Sequence, residues 1–124
     1  MADYSVPAFA VFIDDLRAHW AKDLPETEHW EGVRGLLKTL CADAAMRQAS
    51  NAWPAKRGVE LQLHHDPDYD FFVGALIRQP HHRANVHDHA HTWTVYGVLH
   101  GEERTHVYKR LDDGNVPGKA ALEL

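Results

Sequence analysis

The stretch HTWTVYGVLHGEERTHVYKRL, residues 91–111, decides how the second half of this chain is read. On either side of Gly101-Glu102 apolar and aromatic residues alternate with others, the period-2 pattern of a strand whose one face is covered. Glycine at the first central position suits a two-residue hairpin turn, which needs a positive φ there. The pattern therefore predicts two antiparallel arms, 91–100 and 104–111, joined at Gly101-Glu102.

Working outward, the same character continues in both directions. VELQLHH alternates through Val59, Leu61 and Leu63, DPDY carries turn chemistry at Pro67, and DFFVGALIR is nearly continuous apolar. The last is expected to be a strand buried on most of its surface. After the hairpin, DDGNVPGKAALEL holds two further turns and opens another alternating run.

Upstream the period changes to that of a helix. Phe9, Phe12, Ile13, Leu16 and Trp20 line one face. After LPET, with Thr27 as the expected cap, Trp30, Val33, Leu37, Leu40, Cys41 and Ala44 line a second, running on through Met46 and Gln48. Such stripes are core-facing, and Asn51, Pro54 and Gly58 end the helical part. The expectation is one domain over 1–124: a helical N-terminal region, 1–55, packed on a mainly β unit, 56–124.

Composition narrows the function classes. The 124 residues are 44% hydrophobic and 25% charged, as in globular proteins, with a formal net charge of −5. Without a basic stripe, nucleic-acid binding is not expected. The first residues lack a basic n-region and the apolar run breaks at Asp14, so neither a signal peptide nor a membrane span is expected. The single cysteine, Cys41, excludes an internal disulfide and fits a reducing cytoplasm.

Histidine is the unusual component: 11 residues, six of them between His81 and His100. In NVHDHAHTW, residues 85–93, His87, His89 and His91 occupy alternate positions. On a strand they share a face, with neighbours about 6.6 Å apart along the chain. Two converging imidazoles at that spacing can clamp a metal held about 2.0–2.1 Å from each nitrogen. The outer pair spans roughly 13 Å, so one strand supplies two ligands and further ligands come from elsewhere. Spacing alone leaves open whether the pair is His87 with His89 or His89 with His91. A different class of function, a pH-responsive surface of His81, His82, His87, His89, His91 and His100 titrating together, uses the same residues.

VHDHAHTWTVYGVLHGEE resembles the first motif of the cupins, G-x5-H-x-H-x3,4-E-x6-G, and most of all the branch that holds cysteine dioxygenase and other thiol dioxygenases. DPDYDFFVGAL before it and YKRLDDG followed by PG after it resemble the same group, so the similarity runs from about Leu61 to Leu124. The resemblance implies a double-stranded β-helix, or jelly-roll barrel, with His87 and His89 as two iron ligands. It further implies a mononuclear non-haem Fe(II) enzyme that adds both atoms of O2 to a small thiol, giving a sulfinate. Imidazole also suits zinc, nickel and copper, and the resemblance selects iron.

Thr94 stands at the motif's Glu position, as fits a branch that binds iron through three histidines, and it forms no cysteine–tyrosine cross-link. His81 stands where the motif begins with glycine. The family's substrate-carboxylate arginine has no direct counterpart beside Glu60 and Gln62, with Arg57 and Arg78 as nearby candidates. The family's third histidine and second motif lie beyond residue 124, so the barrel is expected to be truncated here and either continued in a longer chain or completed by another molecule, with His106 as a local candidate for a third ligand. Trp93 and Tyr96 are expected to back the pocket, chiefly as packing. The alternative function is a non-catalytic cupin, either a metal- or small-ligand-binding module or a structural dimer, so a homodimer is among the expected partners.

Overall fold

The computed structural model describes residues 6–89 and 92–124. Its elements are α1 (Pro7–Ala21), α2 (Glu26–Ala42), α3 (Ala44–Ser50), β1 (Leu61–His65), β2 (Phe72–Ala75), β3 (Lys109–Arg110) and β4 (Leu122–Glu123).

The helices form as their stripes require. Pro7 opens α1, where its missing N–H costs nothing, and Phe9, Phe12, Leu16 and His19 are buried along one face. Glu26 and Glu28 place negative charge in the first turn of α2, against the helix dipole. No side chain caps that helix, and Thr27 lies inside it rather than at its cap. The second stripe is not one helix. Asp43 leaves helical geometry at φ −71°, ψ 124°, and its carboxylate accepts the Met46 N–H at 2.8 Å, ending α2 and capping α3.

The core is mostly helical. Phe9, Phe12, Leu16, Val33, Leu40 and Met46 form it, and from the strands only Leu63 is fully buried within it. Beside it runs a set of ring contacts. Phe71 stacks on Trp20 at 4.7 Å, Trp20 meets Trp30 edge-on at 5.8 Å, and Trp30 stacks on Trp93 at 5.4 Å.

β1 and β2 pair antiparallel through Leu61↔Ala75, Gln62↔Gly74, His64↔Val73 and His65↔Phe72. The irregularity between Gln62 and His64 leaves Leu63 as the extra residue of a bulge. β2 is covered on one face only: Val73 and Ala75 are half-buried while Phe72 is 46% exposed, so the continuous apolar run does not make a doubly buried strand. The connecting turn at 67–69 forms around Asp66, whose carboxylate accepts the N–H groups of Asp68 and Tyr69. β3 pairs with β4 through Lys109↔Glu123 and Arg110↔Leu122.

The expected mainly β jelly-roll barrel is not the observed fold: among the described residues three helices accompany two separate two-stranded sheets, and no barrel closes. The predicted hairpin over 91–111 is likewise absent among the described residues, His91 lying outside them. Gly101 adopts the left-handed turn conformation, φ +85°, but its arms do not pair. Among the described residues, no backbone–backbone hydrogen bond outside strands involves residues 93–108.

The physical reason is that alternation fixes which side chains share a face, whereas a strand also needs a neighbour for its main chain. Here helices take the inward face. Trp93 lies on Trp30, Val95 and Leu99 pack against the core, and Gly97 crosses α2. A Cβ on Gly97 would lie 2.6 Å from Cys41 Sγ and 3.0 Å from Leu37 Cγ, so only glycine permits this approach. The end of the segment is tied to α3, where Arg47 Nε donates to the Leu99 carbonyl at 3.0 Å and His100 Nε2 to the Arg47 carbonyl at 3.0 Å.

Candidate metal centre

Residues 78–89 link β2 to the segment that crosses α2. Gln79 accepts the His82 N–H at 3.1 Å, His81 adopts φ 61°, and Arg78 donates to His82 Nε2 at 3.4 Å. His87 and His89 lie in this irregular backbone and not on a strand. They are nonetheless neighbours, with ring centroids 5.3 Å apart and planes at 73°. His91 lies outside the described residues.

Local hydrogen bonding orients both rings. The His87 Nδ1–H donates to the Asn85 carbonyl at 2.6 Å, which leaves Nε2 as the lone-pair nitrogen. His89 Nε2 stands 3.5 Å from the Tyr96 hydroxyl, with the two rings 6.0 Å apart. Both histidines are exposed, so they retain water-accessible lone pairs at no desolvation cost.

Two imidazoles so arranged fit part of a transition-metal coordination sphere and leave its remainder open. Among the described residues, no group of three or more His, Cys, Asp or Glu side chains is placed to hold a metal. His106 is exposed and makes no such group with the pair. Thr94 is exposed at the outer side of the crossing segment. Trp93 packs on Trp30, whereas Tyr96, 59% exposed, is the aromatic beside the histidines.

The arginine candidates fall elsewhere. Arg57 forms an isolated parallel bridge with Ile77, and Arg78 serves the 78–82 turn. Positive charge near Tyr96 comes instead from α2. Arg34 and Lys38, one turn apart, line a groove of about 360 Å³ together with Cys41, Tyr96, Gly97 and Val98. The i, i+4 spacing of Arg34 and Lys38 was visible in the sequence, but not the side of α2 that the later segment crosses. Burial pushes the Cys41 thiol above its ordinary pKa, so at neutral pH it is a protonated packing group.

A second polar cluster escapes sequence reading altogether. Asp66, 1% exposed, binds Arg17 from α1, accepts from His64 Nε2 at 3.2 Å, and receives the Asp68 and Tyr69 N–H groups at 3.1 and 2.9 Å. Arg17 also donates to Asp68 at 2.5 Å. Burial opposes the Asp66 charge, but the Tyr69 N–H, Arg17, His64 and the Asp68 N–H together hold its pKa well below the usual carboxylate range. With every buried side-chain polar atom of the described residues partnered, this cluster is a clamp between α1 and the β1–β2 turn.

No protein-family model, curated protein or solved structure matches this chain. No helix among the described residues is long and apolar enough to cross a membrane.

Proposed function

We propose that this chain is a metal-dependent protein of the thiol-oxidising kind, with His87 and His89 as the metal clamp and Fe(II) as the metal. The observation that carries this reading is the pairing of the two imidazoles, 5.3 Å between centroids, with His87 fixed through Nδ1 so that Nε2 is the donor. A clamp of two neighbouring rings does not require a closed barrel. The resemblance of VHDHAHTWTVYGVLHGEE to thiol dioxygenases selects iron, O2 and a small thiol.

When bound, iron supplies Lewis acidity and the one-electron chemistry that O2 requires. The chain's own residues have simpler tasks. The Asn85 carbonyl holds the His87 tautomer, and the Tyr96 hydroxyl stands 3.5 Å from His89 Nε2, where it helps orient that ring. Arg34 and Lys38 offer charge to the carboxylate of an acidic thiol in the groove that Tyr96 borders. A single half-buried thiol and no internal disulfide suit a cytoplasmic setting.

A second reading is a non-catalytic metal- or small-ligand-binding module. It is favoured by the openness of the site and by the two-ligand count among the described residues. The test is elemental analysis after anaerobic Fe(II) loading, beside His87→Ala/His89→Ala, followed by oxygen uptake with cysteine and 3-mercaptopropionate. The expected result is near-equimolar iron that is lost in the variant, with thiol-dependent uptake. Iron without uptake on either thiol supports the binding module, and no metal in the parent removes the metal clamp from both readings, leaving only a small-ligand-binding module.

A further inference from the structure

Two histidines of the helical half belong neither to the candidate metal centre nor to the Asp66 clamp. His19 of α1 is buried, and its ring stacks on that of His29 from α2 at 5.1 Å and 24°. His19 Nε2–H donates to the His29 carbonyl at 2.7 Å, which fixes the pair at the seam between the two helices. Two indoles also meet the His29 ring edge-on, Trp20 at 4.3 Å and Trp30 at 4.7 Å.

A half-buried imidazole in this setting is held neutral. Among the described residues no group accepts a hydrogen bond from the His29 ring, so an added proton finds no protein partner there. Burial, and then the charge that His19 can carry across the stack, lower the His29 pKa from its ordinary 6.5. Of the ionisable groups nearest in sequence, Asp15, Lys22, Asp23, Glu26 and Glu28 are exposed and none makes an ion pair with either ring. From the β1–β2 connection, uncharged Phe71 reaches the cluster through Trp20.

We propose that the stacked His19–His29 pair is a pH-sensitive latch of the α1–α2 seam, closed while both rings are neutral and opened when His29 takes up a proton. Trp30 carries the change outward, because the indole that meets His29 also stacks on Trp93 at 5.4 Å. Trp93 begins the segment that crosses α2, so acidification loosens that segment and the groove Tyr96 borders with Arg34 and Lys38. For the candidate metal centre this is a regulatory input, and that consequence alone rests on the metal reading. With the folded-state value below the ordinary one, the latch contributes fully above about pH 6.5 and is lost as pH falls through the lowered value. The Asp66 clamp gives way only below about pH 4, so the two windows are separate.

Three readings of the whole chain between about pH 8 and pH 5 test the latch, each beside His29→Gln: the assigned His29 Cε1–H shift, the near-UV circular dichroism of the indoles, and the urea midpoint. The expected result is that His29 titrates below the exposed His65 and His82, and that the indole signal and the midpoint fall as it does. His29→Gln should keep the indole signal and lose most of the fall in midpoint. A His29 titration at or above that of His82, or parallel pH profiles of parent and variant, overturns the proposal. Should His29→Gln fail to fold, the parent decides. An indole signal that tracks the His29 titration supports the latch, and one that follows any other titration or none overturns it.

Discussion

Two glycines on α2 give opposite expectations for the same substitution. Gly35 is exposed, and a Cβ there meets nothing within 4 Å. Gly35→Ala therefore gains only the helix-propensity difference, about 1 kcal/mol, a rise of roughly 3–6 °C in Tm. Gly32 lies under the buried ring of His19. Its Cβ would fall 2.1 Å from His19 Cε1 and 2.5 Å from Nε2. The ring would have to swing away, breaking the bond that His19 Nε2–H makes to the His29 carbonyl at 2.7 Å and its stack on His29 at 5.1 Å. The lost hydrogen bond costs about 0.5–1.5 kcal/mol. Overpacking adds about 1–3 kcal/mol. Against the same propensity gain, Gly32→Ala should destabilise by about 1–3 kcal/mol. Urea denaturation followed by far-UV circular dichroism reads both midpoints. In a His19→Ala background the penalty at Gly32 should vanish. Equal stabilisation by both substitutions in the parent would refute the packing of α1 on α2 through His19.

Two other outcomes follow from the charged and thiol groups, besides those stated for the metal clamp. Asp66 is held ionised below the usual carboxylate range, so its contribution to stability is complete above about pH 4 and is lost as pH falls through its depressed folded value. Asp66→Asn should lower the denaturation midpoint at neutral pH and flatten the acid limb of the stability profile, and superimposable acid limbs would exclude this clamp. Cys41, half-buried with its pKa raised by burial, should react with a thiol reagent at pH 7–8 more slowly than free cysteine and speed up in denaturant. A native rate matching the unfolded one would show that the segment around Gly97 does not cover it.

Much of the helical half was legible because a helix satisfies its own main chain. The stripe through Phe9, Phe12 and Leu16, and that through Val33 and Leu40, state both the element and its buried face. The break at Asp43 was less legible, since a capping carboxylate competes with a helical pattern that continues past it. The spacing His87-x-His89 also stated that two imidazoles would be neighbours, and they are, although on irregular backbone rather than a strand. The choice of donor nitrogen was not stated, because it depends on the Asn85 carbonyl.

What the sequence by itself determined, then, is local: helices, their apolar faces, the turn at Pro67, and the adjacency of His87 and His89. The tertiary structure alone decided everything that needed a distant partner. Asp66 is a clamp because Arg17, 49 residues upstream, reaches it. Residues 93–99 lie on α2 instead of in a sheet because Leu37, Cys41 and Trp30 cover their inward face. Side-chain periodicity encodes a face, but a strand is completed by hydrogen bonds to another segment, and no local pattern specifies which segment that is.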